Sequence, residues 1–404
     1  MLNYPDYKSA RDLLFSLAQS VGTENVSLLD CAGRILAQEL VAEADIPAFD
    51  RSPYDGYALR SEDTANASRE EPVTLRILEE VAAGGTPTMA VTPGTATKIL
   101  TGAPIPPGAD CVINYEVTEF TPETVKLFSP VKAGSNIVRA GDDVKKGTLL
   151  ARPGQLIDAG TAGTLAAQGV TRPLVYRVPR VAILSTGSEL CEADEPTAPG
   201  IIRNSNAYTI AAALRQNGIE PVYLGIARDT LDGIAEMFKR GAEECDAVIS
   251  TGGVSVGDYD LTPAALDKIG AETLVRGVSL KPGKACAYAV KDGKLLFALS
   301  GNPASCITNF NTVALPALKR LAGRADAIPQ EIDMVVQSRF PKKSDEARVL
   351  RGTVKICSGR AEMTLAASQG NVVLSSTIGC NAMAIVPAGS GAFEAGTVLK
   401  GFMV

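Results

Sequence analysis

Residues 180–190 read RVAILSTGSEL, and this stretch decides the fold. Val181–Ser185 is a short, largely apolar run of the length of a buried strand, and a polar turn follows it at once. The pattern returns in PVYLGIARDT at 221–230, AVISTGGVSVGDYD at 247–260 and LFALSGNPAS at 296–305. Helical stretches lie between and after these runs. They are Asn206–Gln216, which Gly218 is placed to stop, Leu231–Glu244, opened by Asp229 and Thr230, Thr262–Ile269, and Pro303–Leu321. Further strands are expected near Thr273–Ser279, Ala285–Val290 and Lys294–Leu299. Strands alternating with helices predict a mostly parallel sheet with helices on both faces.

Outward from this block the texture changes. Asp6–Ser20 reads as an amphipathic helix through Ala10, Leu13, Leu14 and Leu17, and Arg34–Val41 reads as helical in the same style. IPAFDRSPYDGYALR (46–60) is too rich in Pro, Asp and Gly for a helix. Its Asp55-Gly56-Tyr57 core, flanked by Asp50 and Arg51, suits either a lid-like loop or a turn held by Asp side chains. TLRIL (74–78), ATKIL (96–100), CVINYEV (111–117) and VKLFSPV (125–131) predict a small β-rich unit. The Ala- and Gly-rich stretch Gln155–Gln168 is expected to be helical. After Ile328 the runs DMVVQSRF, RVLRGTVKI, AEMTLAA, AMAIVPAG and TVLKGFMV predict an all-β C-terminal domain.

Composition removes several chemistries. The 404 residues contain no histidine, which excludes Ser-His-Asp and Cys-His nucleophile systems and His-ligated zinc. None of the eight cysteines stands in a C-x-x-C pair, so zinc ribbons and iron–sulfur clusters have no support, and buried thiols are expected. A net charge of −6 argues against bulk nucleic-acid binding. No secretory leader or stretch of about 20 apolar residues is visible, so a cytoplasmic, non-membrane protein is expected.

The strand ends carry the chemistry. Ligands of an open parallel sheet bind beyond the carboxyl ends of its strands. Here those ends supply Glu189, Asp229, Asp258 and Asp260, together with Gly-rich turns. Glycine lets backbone N–H groups approach an anion, and carboxylates at the same edge call for a divalent cation shared with phosphates. Lys281-Pro282-Gly283-Lys284 adds a compact positive spot fit for an oxyanion. Read singly, each Gly-rich turn is as readily steric, and KPGK alone reads more readily as a solvated turn. Asp142-Asp143 is an ordinary Asp-rich turn, and the proline-rich TGAPIPPGAD (101–110) shapes the chain without obvious chemistry.

Taken in order, PAFDRSPYDGYA, TGAPIPPGADCVI, NIVRAGDDVKKG, VAILSTGSEL, NSN, STGGVSVGDYD, KPGKACAY and SGNPAS resemble the MoeA family of molybdopterin molybdenumtransferases. That family includes the E domains of gephyrin and of plant Cnx proteins. The resemblance covers essentially the whole chain. It implies an α/β multidomain fold with a parallel-sheet molybdopterin-binding domain, a helical segment, a β-rich insertion and a C-terminal β-barrel. The expected divisions are 1–44 with 136–178, then 45–135, 179–327 and 328–404.

The implied reaction inserts molybdate into adenylylated molybdopterin with release of AMP, assisted by Mg²⁺. Glu189, Asp229 and Asp260 match the metal-holding acids, and Asp55 and Asp143 match acids reaching in from the insertion. Lys281, Ser305, one arginine of Arg348 or Arg351, and Ser375 or Ser376 would hold the oxyanion. Ser185, Thr186, Gly187, Gly252, Gly253, Ser255, Gly257, Asp258, Pro282, Gly283, Lys284 and Asn302 complete the implied binding set. The implied partners are a second copy of the chain, an upstream molybdopterin adenylyltransferase, and recipient molybdoenzymes or chaperones. A tungstate-preferring paralogue, a gephyrin-like scaffold and a hydrolase of another nucleotide-linked pterin are the competing expectations. The chain departs from the family pattern at Arg51, Pro53, Tyr54, Asn204, Gly277 and Ser300.

Overall fold

The computed structural model describes residues 1–254 and 261–404. They fall into two compact units. The larger comprises 1–38, 153–162 and 172–404, and the smaller comprises 39–152 and 163–171.

The larger unit is organised by a seven-stranded sheet. Its elements are β1 (Leu2–Asn3), α1 (Tyr7–Leu17), β2 (Arg180–Thr186), α2 (Asn206–Gln216), β3 (Glu220–Ala227), α3 (Leu231–Glu244), β4 (Ala247–Thr251), α4 (Thr262–Lys268), β5 (Glu272–Arg276), β6 (Cys286–Lys291) and β7 (Lys294–Leu299). Helix α5 begins at Pro303–Asn309, widens to a π-helical turn over Phe310–Ala314, and finishes as Leu315–Leu321. The widened turn lies just before Pro316, which removes one N–H from the helical ladder. The strand order is β1-β5-β6-β7-β4-β2-β3, and only the pairings β5–β6 and β6–β7 are antiparallel.

Alternation along the central strands explains the layers. Val181, Ile183, Ala247, Ile249, Leu295 and Phe297 turn to one face, where they pack with Tyr7, Ala10 and Leu14 of α1, Ile210 and Leu214 of α2, and α5. Ala182, Leu184, Val248, Leu296 and Ala298 turn to the other face, against Ile234 and Phe238 of α3 and Leu266 of α4. Strands buried on both faces read as continuous apolar runs, as these do. Side chains begin two helices. Asp6 accepts hydrogen bonds from the N–H groups of Lys8 and Ser9 ahead of α1, and Thr230 Oγ1 accepts from Gly233 N at 3.2 Å ahead of α3.

Beyond α5, strands β8 (Ile332–Val336), β9 (Ala347–Cys357), β10 (Arg360–Leu365), β11 (Ala382–Val386) and β12 (Val398–Met403) form a closed ring in the order β9-β10-β8-β12-β11-β9. Met334, Leu350, Met363 and Ala384 fill it. Closure leaves no free edge within the ring. The short strand Leu280–Lys281 joins outside, parallel to β9, with Lys281 opposite Arg348.

The smaller unit holds a six-stranded sheet in the order Cys111–Asn114, Gly56–Leu59, Thr95–Ile99, Val73–Val81, Thr124–Leu127, Thr118–Phe120. Here the DGY segment departs from the expected loop. Gly56–Leu59 is an interior strand paired on both sides and buried at every position, so Asp55 is the last exposed residue before it. Tyr57, Ala58 and Leu59 carry enough apolar surface to be drawn into the core despite the polar residues before them.

Two helix expectations are also corrected. Ile35 and Leu36 form bridges to Leu156 and Val175, and Leu40–Val41 pairs with Leu149–Ala151. Leu36, Leu40 and Ala42 are buried while Val41 is exposed, a two-residue alternation that the four-residue spacing of the leucines conceals. The helix expected over Gln155–Gln168 begins only at Ala159, after Asp158 Oδ1 accepts from Thr161 N at 2.8 Å. Among the described residues no helix is long and apolar enough to cross a membrane.

Candidate active site

Parallel register brings four turns to one edge. Ser185 lies opposite Thr251, Thr251 opposite Leu299, and Thr186 opposite Ala227. The turns after these strands enclose a cleft of about 440 Å³, lined by Thr186, Gly187, Glu189, Asn204, Asp229, Gly252, Gly253, Ser300 and Asn302 among others. Gly252 has φ +99°, and a Cβ there would lie 2.4 Å from the Thr186 carbonyl oxygen. Only glycine lets the two strand ends approach this closely. The Thr186 hydroxyl is buried beside the cleft and has no partner among the described residues. An unsatisfied group of this kind marks a place where a ligand or water completes the bonding.

Among the described residues two carboxylates border the cleft. Asp229 Oδ2 accepts from Ser188 N at 2.7 Å, which fixes one oxygen. Glu189 lies over bare backbone: a Cβ added to Gly187 would come 2.5 Å from its Oε2. Among the described residues no three His, Cys, Asp or Glu side chains gather tightly enough to hold a metal by themselves. A pair of hard carboxylate donors does fit a divalent cation that takes its other ligands from water and substrate phosphate.

A chain of hydrogen bonds, buried at Ser185, Asn204 and Thr251 and running out to the surface at Tyr223, supports this floor. Ser185 Oγ donates to Asn204 Oδ1 at 3.0 Å and lies 2.9 Å from Thr251 Oγ1. Asn204 Nδ2 donates to the Tyr223 hydroxyl at 2.9 Å, which donates to Glu192 at 2.6 Å. Burial, reinforced by Glu192, holds the Tyr223 hydroxyl well above its ordinary pKa, so it stays a donor. Asn206 Nδ2 donates to Gly301 O at 2.8 Å and ties α2 to the SGNPAS turn. Sequence reasoning missed Tyr223 and Glu192, because the partners lie far apart in the chain.

A second cleft, of about 730 Å³, adjoins the first and shares Ser300 and Asn302 with it. Lys281, Pro282, Gly283, Lys284, Ser305 and Arg348 line it, together with Lys342 and Lys343, which sequence reasoning also missed. The KPGK turn is fixed by Asn309 Nδ2, which donates to Gly283 O at 2.6 Å. Lys284 Nζ stands 2.7 Å from Glu346, which raises its pKa. Arg348 lies over the Phe340 ring, and its buried Nε has no partner among the described residues. Burial lowers its pKa, with Glu346 opposing.

The remaining candidates are distributed as follows. Arg351 is wholly buried behind the second cleft, where Nε donates to Ser376 Oγ at 3.0 Å and Nη2 to Gly370 O at 3.1 Å. Gly370 lines the cleft, and Arg351 also borders a separate cavity of about 620 Å³. Ser375 is exposed on the turn Leu374–Thr377. Asp55 and Asp143 belong to the smaller unit. Hydrogen bonds from the Thr101 N–H and hydroxyl, both 2.7 Å, hold Asp55 below the usual carboxylate range. Asp143 is exposed, and its N–H donates to Ile46 O at 3.0 Å. Ser255, Gly257, Asp258 and Asp260 lie outside the described residues.

Known proteins match this architecture along nearly its whole length. Residues 6–169 match the MoeA N-terminal region (domain I and II), and residues 182–320 match a probable molybdopterin binding domain. The molybdopterin molybdenumtransferase of Bacillus subtilis (strain 168) is 37% identical over 388 residues, which span 95% of this chain and 90% of that one. The chain belongs to the molybdopterin molybdenumtransferase family. The Staphylococcus epidermidis (strain RP62A) member is likewise 37% identical, over 93% of this chain and 90% of its own. A crystal structure of the molybdopterin biosynthesis MoeA protein of Pyrococcus horikoshii OT3 covers 99% of this chain and 100% of its own, at a TM-score of 0.84 and 31% identity. As a member of this family the chain is an enzyme, a transferase.

Three departures from the family pattern acquire a local explanation. Gly277 (φ +68°) stands where family members often carry lysine, and a Cβ there would lie 2.2 Å from the Tyr4 ring. Tyr4 fills that space and stacks under Lys284, whose Nζ lies 5.3 Å from the ring centroid. Ser300, in place of proline, accepts from Asn302 N at 3.2 Å and so holds its own turn. Asn204 is the middle member of the hydrogen-bonded floor. Arg51 exchanges backbone hydrogen bonds with Val138 in the smaller unit, while nothing in the structure explains Pro53 or Tyr54.

Proposed function

We propose that this transferase inserts molybdenum from molybdate into adenylylated molybdopterin, yielding molybdenum cofactor and AMP. The observation that carries the reading is the junction of two clefts at Ser300 and Asn302, one bordered by Glu189 and Asp229 and the other by lysines and Arg348. A pyrophosphate-linked substrate and a doubly charged oxyanion need these two environments side by side.

In this reading the backbone around Gly187, Gly252 and Gly253, with Ser185 and Thr186, orients the pterin and its phosphate. Glu189 and Asp229, with Asp260, hold Mg²⁺, which when bound supplies charge neutralisation at the phosphates. Lys281, Pro282, Gly283, Lys284, Asn302 and Ser305 seat the oxyanion. Arg348 reaches it directly, while Arg351 and Ser376 supply positive charge and a hydroxyl from behind the wall. Asp55 and Asp143 are assigned to the same chemistry, as are the turn residues Ser255, Gly257 and Asp258. The chain acts as a cytoplasmic homodimer with the four expected subdomains, receives substrate from an adenylyltransferase, and serves molybdoenzymes or their chaperones.

The test is AMP release from adenylylated molybdopterin and Mg²⁺, with and without molybdate or tungstate. Release that requires an oxyanion, and gives product able to activate a metal-free molybdoenzyme, is the expected result. Oxyanion-independent release would contradict the proposal.

A further inference from the structure

Among the described residues five basic and two acidic side chains border the second cleft, although the chain carries a net charge of −6. The whole-protein field therefore opposes the approach of an anion, and the local basic residues must overcome it. They are not equivalent. Lys284 is paired with Glu346. Arg348 is nine-tenths buried. Lys281, Lys342 and Lys343 are exposed, and among the described residues none has a carboxylate within ion-pair distance. Lys281 is set in the strand that pairs with the barrel opposite Arg348, whereas Lys342 and Lys343 lie outside any strand.

The backbone under these two lysines is held on both sides. Phe340 exchanges hydrogen bonds with Phe393 at 2.9 and 3.0 Å. Ser344 N donates to Ser390 O at 3.0 Å, and Ser344 O accepts from Gly389 N at 2.8 Å. Ser344 itself is 3% exposed. The pair is thus anchored at the rim while its side chains stay free.

We infer that Lys342 and Lys343 are the capture residues for the oxyanion: a pinned, unpaired double charge that concentrates a small dianion at the cleft mouth and passes it to Lys281 and Arg348. The inference rests on the proposed function and assigns these lysines no contact with reacting atoms. They act on association, so they set KM and its salt dependence and leave kcat alone. An ammonium is a strongly hydrated point charge, which suits loose capture more than tight seating.

The test replaces both lysines by glutamine in the full chain. AMP release is measured against molybdate concentration at several ionic strengths, and molybdate binding is measured separately by equilibrium dialysis without the pterin. Lys342→Gln with Lys343→Gln should raise the molybdate KM about three- to tenfold, weaken dialysis binding to match, and flatten the salt dependence. Arginine at both positions should restore all three. Lys239→Gln with Lys355→Gln, exposed lysines away from the cleft, controls for net charge and should leave them unchanged. An unchanged KM, salt slope and dialysis constant in the glutamine pair would overturn the inference. Lysine-dependent molybdate binding by a wild type that shows no oxyanion-dependent AMP release would support the pair and overturn the proposed function instead.

Discussion

The first cleft is made by one sheet, whereas the second is shared between that sheet's KPGK turn and the barrel. In the first, the register of parallel strands sets the geometry, and glycines let backbones close to contact distance. In the second, Lys281 meets Arg348 only because a two-residue strand pairs with the barrel. Under the proposed function the difference separates two tasks: rigid backbone suits a substrate with fixed phosphates, and long cationic side chains suit a small diffusing dianion.

Breaking the carboxylate side should have the largest effect. Asp229→Ala is expected to lower AMP release at saturating molybdate by about 100-fold or more, with little change in melting temperature. Steady-state AMP assays paired with thermal melts check this. Gly252→Ala tests the backbone beneath. The left-handed conformation and the 2.4 Å approach to Thr186 O should make it cost about 2–3 kcal/mol, read from urea unfolding. Ser305→Ala, on the oxyanion side, should raise the molybdate KM about threefold to tenfold with an unchanged fold.

The smallest effect sharpens the comparison by touching neither cleft. Asp6→Ala removes the cap of α1 and should cost about 1 kcal/mol at neutral pH. The Ser9 hydroxyl, ahead of the opposing effect of burial, holds the Asp6 carboxyl below its ordinary value. A lowered folded-state pKa means the stabilisation is complete above the unfolded pKa of about 3.9 and is lost as pH falls through the lower folded value. Urea melts at pH 7 and below pH 4 should therefore show the wild-type advantage shrinking with acid.

The same contrast explains what the sequence disclosed. Each described acid of the first cleft lies in the turn that follows an apolar run, so reading strand ends was enough to find Glu189 and Asp229. The barrel was legible too, since β8 to β12 all fall on runs of strand-like composition. The positions of Lys342, Lys343 and Arg348 on the cleft wall, with Arg351 behind it, were not legible, because they depend on how the barrel meets the KPGK turn. The Tyr223–Glu192 support was hidden for the same reason. Gly56–Leu59 was obscured because its polar neighbours outweighed a four-residue core strand, and Arg34–Val41 because leucines four apart suit a helix and an alternating strand alike.

The proposed function has the adjoining clefts divide the substrates between them. It is tested most directly by titrating molybdate against AMP release in Asp229→Asn and Lys281→Gln side by side. Asp229→Asn should lower kcat and leave the molybdate KM near wild type, while Lys281→Gln should raise that KM about tenfold and leave kcat near wild type. Both variants moving the same parameter to the same extent would contradict it.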